Sequence, residues 1–342
     1  MSTDHSTTRI ATTRLGTDGP VTGVQGLGCM GMNFGYGPTD ADEARATLER
    51  ALELGVTLFD TADMYGSGEN EKFLSPFFRA HREELLVATK FGIVLDPEDP
   101  SRRTVRNDTA HIRKSVEGSL ARLGIDTIDL YYMHRIDPEI PIEETVGTMA
   151  ELVAEGKVRR LGLSEVTGDE LRRAHAVHPI SALQSEWSLF SRDVERTAVP
   201  AAKELGVVFV PYSPLGRGFL TGSFVAADKE LTSGDSRRTM PRFSGDNAAA
   251  NAALLEPVRK LAERRGATLG QIALAWVQQQ ATLRDMTVVP IPGTRKRSRL
   301  AENTAATRIE LDAEELALLD PIADSVRGGR YADPKFTSAG RE

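Results

Sequence analysis

TAHIRKSVEGSLARLGIDTIDLYYMHR (109–135) contains one full unit of the pattern that decides the fold. Its first part, Thr109–Leu123, spaces its apolar residues as one face of a helix and is closed by Gly124. Its second part, TIDLYYMH (127–134), is an apolar run of strand length, rich in aromatic and β-branched residues. The same alternation extends in both directions. Strand-like runs recur at VTLFD (56–60), LLVAT (85–89), VRRLGLS (158–164), ISALQ (180–184), VVFVPY (207–212) and MTVVP (286–290). Helical stretches lie between most of them. One is Asp40–Leu54, opened by a capping-type Thr39 or Asp40 and closed by Gly55; another is Ile142–Ala154, closed by Gly156. Strands alternating with helices predict a parallel sheet. With the glycine-rich VQGLGCMGM (24–32) as the first strand the count reaches that of a closed barrel. The expected fold is therefore α/β, a (β/α)8 TIM barrel.

Three segments fall outside the repeat. TTRLGTDGPVTG (12–23) reads as an N-terminal β-hairpin with its turn at Asp18-Gly19, placed to plug the barrel's bottom. GSFVAADKELTSGDSRRTMPRFSGDN (222–247), after strand 7, is too long for an ordinary connection and predicts a functional loop or lid. VRGGRYADPKFTSAGRE (326–342) is polar and expected to be loose except near Tyr331. One domain over 1–342 is expected, with a barrel core at about 24–320 between polar tails.

Composition narrows the function classes. The 342 residues include 42 basic and 49 acidic ones, a net charge of −7, which argues against nucleic acid or an anionic membrane as a global partner. The single cysteine, Cys29, excludes an intrachain disulfide and a thiolate-rich metal site. No apolar run reaches the roughly 18–20 residues of a membrane span, and MSTDHSTTRIATTRLG (1–16) lacks the apolar segment of a secretory signal. The expectation is a cytoplasmic protein.

In a parallel barrel, chemistry collects where the strands end. Asp60, Lys90, His134, Ser164, Gln184 and Tyr212 all stand at or just past such ends. Tyr65 lies in the loop FDTADMYGSGENE (59–71), near Asp60. A lysine ending a core strand needs a partner, and Asp60 is the obvious one. His175 and His178 are spaced i, i+3 with no acidic or thiolate neighbour, so no metal is expected there.

Asp, Tyr, Lys and His at successive strand ends are far more specific together than singly. With FDTADMYG, VATKFG, DLYYMHR, EGKVRRLGLSE, QSEWSLFSRD, PYSPLGRGFLTG, RRTMPRF and IPGTRKRSRLAEN, the sequence resembles the aldo-keto reductase superfamily. It is most similar to the bacterial and plant branch with auxin-induced-protein-like and pyridoxal-reductase-like members. The resemblance implies a nicotinamide-dependent carbonyl reductase whose catalytic tetrad is Asp60, Tyr65, Lys90 and His134. Tyr65 would protonate the carbonyl oxygen. Lys90, held by Asp60, would make that phenol more acidic, and His134 would orient the carbonyl.

The same resemblance implies cofactor contacts. Ser164, Glu165 and Gln184 would hold the carboxamide, with Glu165 standing where many relatives have Asn. Tyr212 would stack under the nicotinamide. The segment from Ser213 through Leu215, Gly216 and Arg217 would face the pyrophosphate. Gly293, Thr294, Lys296 and Arg299 would surround the adenosine 2′-phosphate, and Asn303 the adenine. The basic run RKRSR (295–299) opens a helix within an acidic chain, and the position the resemblance gives its residues implies NADPH over NADH. The small-molecule carbonyl would meet walls built from Met32–Tyr36, Met64, Phe91–Leu95, Trp187 and the 222–247 loop. Two other readings stay open. One is a non-catalytic NADPH-binding regulator resembling potassium-channel β subunits. The other is a metal-dependent barrel hydrolase, which would need His-x-His or clustered carboxylates at strand ends; neither is present.

Overall fold

In the computed structural model of the chain, residues 8–16, 18–96, 98, 102–224, 230–231 and 234–341 are described. Seven parallel strands neighbour one another in chain order. They are β1 (Leu27–Gly28), β2 (Leu58–Asp60), β3 (Leu86–Phe91), β4 (Leu130–Met133), β5 (Leu161–Ser164), β6 (Ile180–Glu186) and β7 (Val208–Tyr212). The eighth, β8 (287–293), closes the ring: it bridges β7 at Phe209–Val288 and Tyr212–Ile291, and β1 at Gly28–Gly293, all parallel. Its ladder is broken because Pro290 and Pro292 have no N–H to donate. The result is the expected (β/α)8 barrel.

Side-chain alternation separates two cores. Leu58, Ala88, Leu130, Tyr132, Ala182, Val208, Val210, Val289 and Ile291 point inward and pack together. Gly162 belongs to this layer because the Tyr132 ring occupies the space a Cβ would need, 2.4 Å away. Phe59, Val87, Tyr131, Met133, Leu161 and Leu183 point outward, under the helices. The hairpin forms as predicted, Thr12–Arg14 against Val21–Gly23, and its Leu15 joins the interior cluster as the plug.

The helices follow their sequence signals. α1 (Ala41–Glu53) starts where the Asp40 carboxylate accepts from the Asp42 and Glu43 amides. After α2 (Glu69–Ala80) comes α3 (Thr109–Leu123), which ends at Gly124 in a left-handed conformation. α4 (Ile142–Ala154) and α5 (Gly168–Val177) follow, the latter opened by a Thr167–Glu170 capping box. α6 (Ala198–Glu204), α7 (Gly245–Ala253), α8 (Glu256–Arg265), α9 (Leu269–Arg284), α10 (Arg297–Ala305) and α11 (Ala313–Leu319) complete the described set. Among the described residues, no helix is long and apolar enough to cross a membrane.

Three features depart from the sequence reading. A second hairpin, Ile93–Leu95 against Arg103–Val105, rises from the end of β3. Trp187, expected at the pocket wall, is fully buried. It lies in the outer core, edge-on to Phe209, with its indole N–H on Glu195 at 3.0 Å. The 326–341 tail is not loose. It carries turns at Pro334–Phe336 and Ser338–Gly340 and buries Arg330, Thr337 and Ser338. Parts of the 222–247 loop, at 225–229 and 232–233, lie outside the described residues. The rest forms short turns at Ser236–Thr239 and Pro241–Phe243 leading into α7.

Candidate active site

Inward alternation carries Leu58 to Asp60, Ala88 to Lys90, Gly162 to Ser164, Ala182 to Gln184 and Val210 to Tyr212. One periodicity thus builds the core below and places polar groups at the mouth above. His134 continues β4, its amide donating to the Phe91 carbonyl at 2.8 Å.

Asp60 and Lys90 form a buried ion pair, with Lys90 Nζ donating to Asp60 Oδ1 and to the Thr61 carbonyl at 2.7 Å. Gln184 Nε2 donates to the other carboxylate oxygen at 2.8 Å. Burial pulls both charged groups toward neutrality, and their mutual attraction opposes it. Tyr65 opens the turn Tyr65–Gly68. Its ring centroid is 5.4 Å from Lys90 Nζ and 6.0 Å from the His134 ring, edge to face; Phe34 stacks on its other side at 6.0 Å. Burial pushes the Tyr65 phenol well above its usual range; Asp60 adds to this and Arg135 opposes it. Burial, then Arg135 and Lys90, hold His134 well below the usual imidazole value, so the ring is neutral. Its Nδ1 is buried without a partner among the described residues. Four groups from three strand ends and one loop therefore meet as a neutral phenol, a neutral imidazole and a buried ion pair. This arrangement can give a proton and hold an oxygen.

Glu165, expected to face a carboxamide, is placed otherwise. Its backbone is left-handed, φ 54°, and both carboxylate oxygens are taken by the protein. Oε1 accepts from Arg330 at 2.7 Å, Tyr212 Oη at 2.9 Å and the Glu186 amide at 3.1 Å. Oε2 accepts from Arg330 and the Ser338 amide, each at 3.1 Å. Arg341 binds the Glu165 carbonyl at 2.5 Å and reaches Glu170 at 2.9 Å. The tail is thus fastened over β5 and β6. It delivers Tyr331, whose hydroxyl meets that of Tyr212 at 3.4 Å and the guanidinium of Arg217 at 2.7 Å. Ser164 Oγ accepts from Arg135 at 3.2 Å. Sequence reasoning gave no role to Arg135 or Arg330; the available signals were the arginine directly after His134 and the Arg-Tyr pair in an otherwise polar tail.

The remaining candidates lie on the rim. Ser213 and Arg217 have left-handed backbones, φ 47° and 58°, and Gly216 and Gly218 share that hand; within the turn the Gly216 amide donates to the Ser213 carbonyl at 2.8 Å and the Gly218 amide to the Leu215 carbonyl at 3.0 Å. The RKRSR run divides its labour. Arg295 braces the loop after β1, donating to the Tyr36 and Gly37 carbonyls at 3.0 and 3.1 Å. Arg297 pairs with Glu43 at 2.9 Å. Lys296 and Arg299 are exposed, and among the described residues neither has a carboxylate in ion-pair reach. They flank the start of α10, where the Arg297 amide donates to Glu43 Oε1 at 3.0 Å and the Lys296 amide to Thr294 Oγ1 at 3.2 Å. Thr294 and Asn303 are buried beside them, and Gly293 bridges β1. Among the described residues, no cluster of three or more His, Cys, Asp and Glu is placed to hold a metal ion.

A model of the aldo/keto reductase family matches residues 26–324. The fold superposes on glycerol dehydrogenase from Gluconobacter oxydans with a TM-score of 0.79 and 30% identity, covering 96% of this chain and 98% of that one. An aldo-keto reductase from Bacillus halodurans, in its holo form, matches with a TM-score of 0.73 and 26% identity, over 96% and 100%. An aldo/keto reductase from Klebsiella pneumoniae, in complex with NADP and acetate, matches with a TM-score of 0.69 and 27% identity, over 93% and 98%.

Proposed function

This chain belongs to the aldo/keto reductase family, and from that premise we propose that it reduces aldehydes or ketones to alcohols with NADPH, using Tyr65 as proton donor. The observation that supports this reading is the meeting of Asp60, Tyr65, Lys90 and His134 at one end of the barrel. The bound nicotinamide would supply the hydride. The protein's part is to orient the carbonyl and deliver a proton. His134, neutral and buried, donates a hydrogen bond to the carbonyl oxygen and polarises it. Tyr65 keeps its proton at neutral pH because burial opposes the phenolate. It gives that proton up only as negative charge develops on the oxygen. Lys90, anchored by Asp60 and the Thr61 carbonyl, stabilises the phenolate left behind.

For the cofactor, the fit rests on Lys296 and Arg299, cations without an ion-paired carboxylate among the described residues, at the start of α10, where Glu43 takes the Arg297 amide only. A 2′-phosphate there would meet both helix amides and cations. Thr294 and Asn303 would line the same end. Ser213, Leu215, Gly216 and Arg217 would present the left-handed turn to the pyrophosphate, and Tyr212 its ring to the nicotinamide. Ser164 and Gln184 would hold the carboxamide, while Glu165 instead anchors the tail that closes the site. NADPH oxidation followed at 340 nm with 4-nitrobenzaldehyde tests the reading. Turnover above the protein-free rate is expected; its absence, with NADPH bound, would leave a cofactor-binding regulator.

A further inference from the structure

Of the carboxylates beside Tyr212 and Tyr331, Glu165 is fully claimed and Glu186 is claimed at Oε1 only, its buried Oε2 having no hydrogen-bond partner among the described residues. Arg330 holds Glu165 at 2.7 Å and Asp193 at 2.8 Å. Arg242 holds Glu186 at 3.3 Å, with Ser191 on the same oxygen at 2.7 Å. Two guanidiniums remain. Arg217 forms a long ion pair, at 3.9 Å, with the otherwise unpartnered Glu186 Oε2. Arg135, at the end of β4, is buried and touches only neutral oxygens: the His134 carbonyl at 2.6 Å, Ser164 Oγ at 3.2 Å and Tyr331 Oη at 3.3 Å. Its Nε is buried without a partner among the described residues. Glu165, held by Arg330, attracts this charge without touching it, so the guanidinium keeps donor capacity that an anion from outside the chain can take up.

The Tyr331 hydroxyl shows where one would sit. It accepts from Arg217 at 2.7 Å and from Arg135 at 3.3 Å, as an anionic oxygen would between two guanidiniums. Burial resists its ionisation, yet Arg217 and Arg135 bring the phenol below its usual range. We propose that Arg135, together with Tyr331, forms an anion subsite beside His134, and that the carbonyl substrate carries a carboxylate. The inference rests on the reductase reading above. The Arg135 guanidinium reaches Ser164 Oγ, in the barrel mouth, at 3.2 Å, where His134 also stands, so a carboxylate on it lies within one small molecule's length of the imidazole. An arginine fork matches a carboxylate with two parallel hydrogen bonds, which a lysine cannot offer.

The test compares 4-carboxybenzaldehyde with its methyl ester, which carries no charge and withdraws electrons more strongly than the carboxylate, so that a preference for the acid cannot come from the intrinsic reactivity of the aldehyde. In the wild type, kcat/KM for the acid is expected to exceed that for the ester more than threefold; a ratio of three or less overturns the proposal. In Arg135→Met the ratio is expected to fall to one or below; an unchanged ratio assigns the preference elsewhere and overturns Arg135's role. Calorimetric titration of both compounds into the NADP+-loaded protein gives a readout independent of turnover, and tighter binding of the acid is expected. If neither compound is reduced but the acid binds more tightly, the reductase reading fails and the anion subsite stands. If Arg135→Met loses more than tenfold in NADPH affinity while the acid-to-ester ratio holds, the guanidinium serves the cofactor and the proposal falls.

Discussion

The carboxylate of Glu165 and the guanidinium of Arg330, 165 residues apart in the chain, are paired at 2.7 and 3.1 Å with both groups buried. This pair joins the loop after β5 to the tail, and the tail carries Tyr331 into the mouth. Removing one partner of such a pair leaves the other charge desolvated and unpaired. Arg330→Ala is therefore expected to destabilise the protein by roughly 3–5 kcal/mol, measured by urea unfolding. A loss under 1 kcal/mol would mean that the tail contributes no fixed structure.

The same pair sets an acid limit. Burial alone would raise the Glu165 carboxyl, but Arg330 and Arg135, with hydrogen bonds from Arg330 and the Glu186 amide, hold it at about 2. A folded-state value below the unfolded one, about 4.3, stabilises the protein above the unfolded value. That stability is lost as pH falls from about 4.3 toward 2, and amounts to about 3 kcal/mol. Glu165→Gln should flatten the stability profile across this window. Parallel profiles for variant and wild type would refute the assignment.

What was legible in the sequence was local. Gly124 ends α3 in a left-handed conformation and Asp40 caps α1, so both boundaries could be read from single residues. Asp60 and Lys90 close the apolar runs VTLFD and LLVAT, which was enough to put both at the same end of the barrel, above the Leu58 and Ala88 layer. The tail was misread because its order comes from ion pairs with residues far away in the chain: Arg330 with Glu165 and Asp193, Arg341 with Glu170. Polar composition is the same whether an arginine faces water or a buried carboxylate. The hairpin 93–105 was missed for a related reason, since each arm is only three residues long.

Tyr65→Phe keeps the ring that packs between Phe34 and His134 and removes only the hydroxyl. Loss of a general acid costs about 10²–10⁴ in rate, so kcat should fall by at least a hundredfold with NADPH affinity and thermal midpoint nearly unchanged. More than a tenth of wild-type kcat would remove Tyr65 from the chemistry.

Lys90→Met is predicted to lose both activity and stability, because Asp60 would remain as a buried, unpaired carboxylate. The double variant Asp60→Asn, Lys90→Met separates the two effects. The side-chain oxygen of the introduced asparagine can still accept from Gln184, and no charge is left alone. Stability should recover by roughly 2–4 kcal/mol relative to the single variant, while reduction stays absent. Recovery of activity along with stability would mean that the ion pair serves the fold alone.

The last prediction concerns cofactor choice, and the structure supplies its own control. Arg297 and Arg299 belong to the same basic run, two residues apart, yet Arg297 is paired with Glu43 and Arg299 is exposed with no carboxylate in reach among the described residues. A charge-assisted contact to a 2′-phosphate contributes about 1.5–3 kcal/mol. Arg299→Ala should therefore weaken NADPH binding by roughly 10–150-fold and leave NADH, which lacks that phosphate, nearly unaffected. Arg297→Ala should change neither by more than a few fold, since it removes only the side-chain pair and leaves Glu43 bonded to the backbone amide of residue 297. The loss in Arg299→Ala should shrink as salt rises, because an exposed ionic contact is screened over about 8–10 Å at physiological ionic strength. Fluorescence-quenching titrations of both cofactors against wild type and both variants, at low and high salt, decide the matter. Equal losses for NADH and NADPH would show that Arg299 supports α10 rather than reading the phosphate, and a larger effect from Arg297 would move the phosphate site to the Glu43 side of the helix.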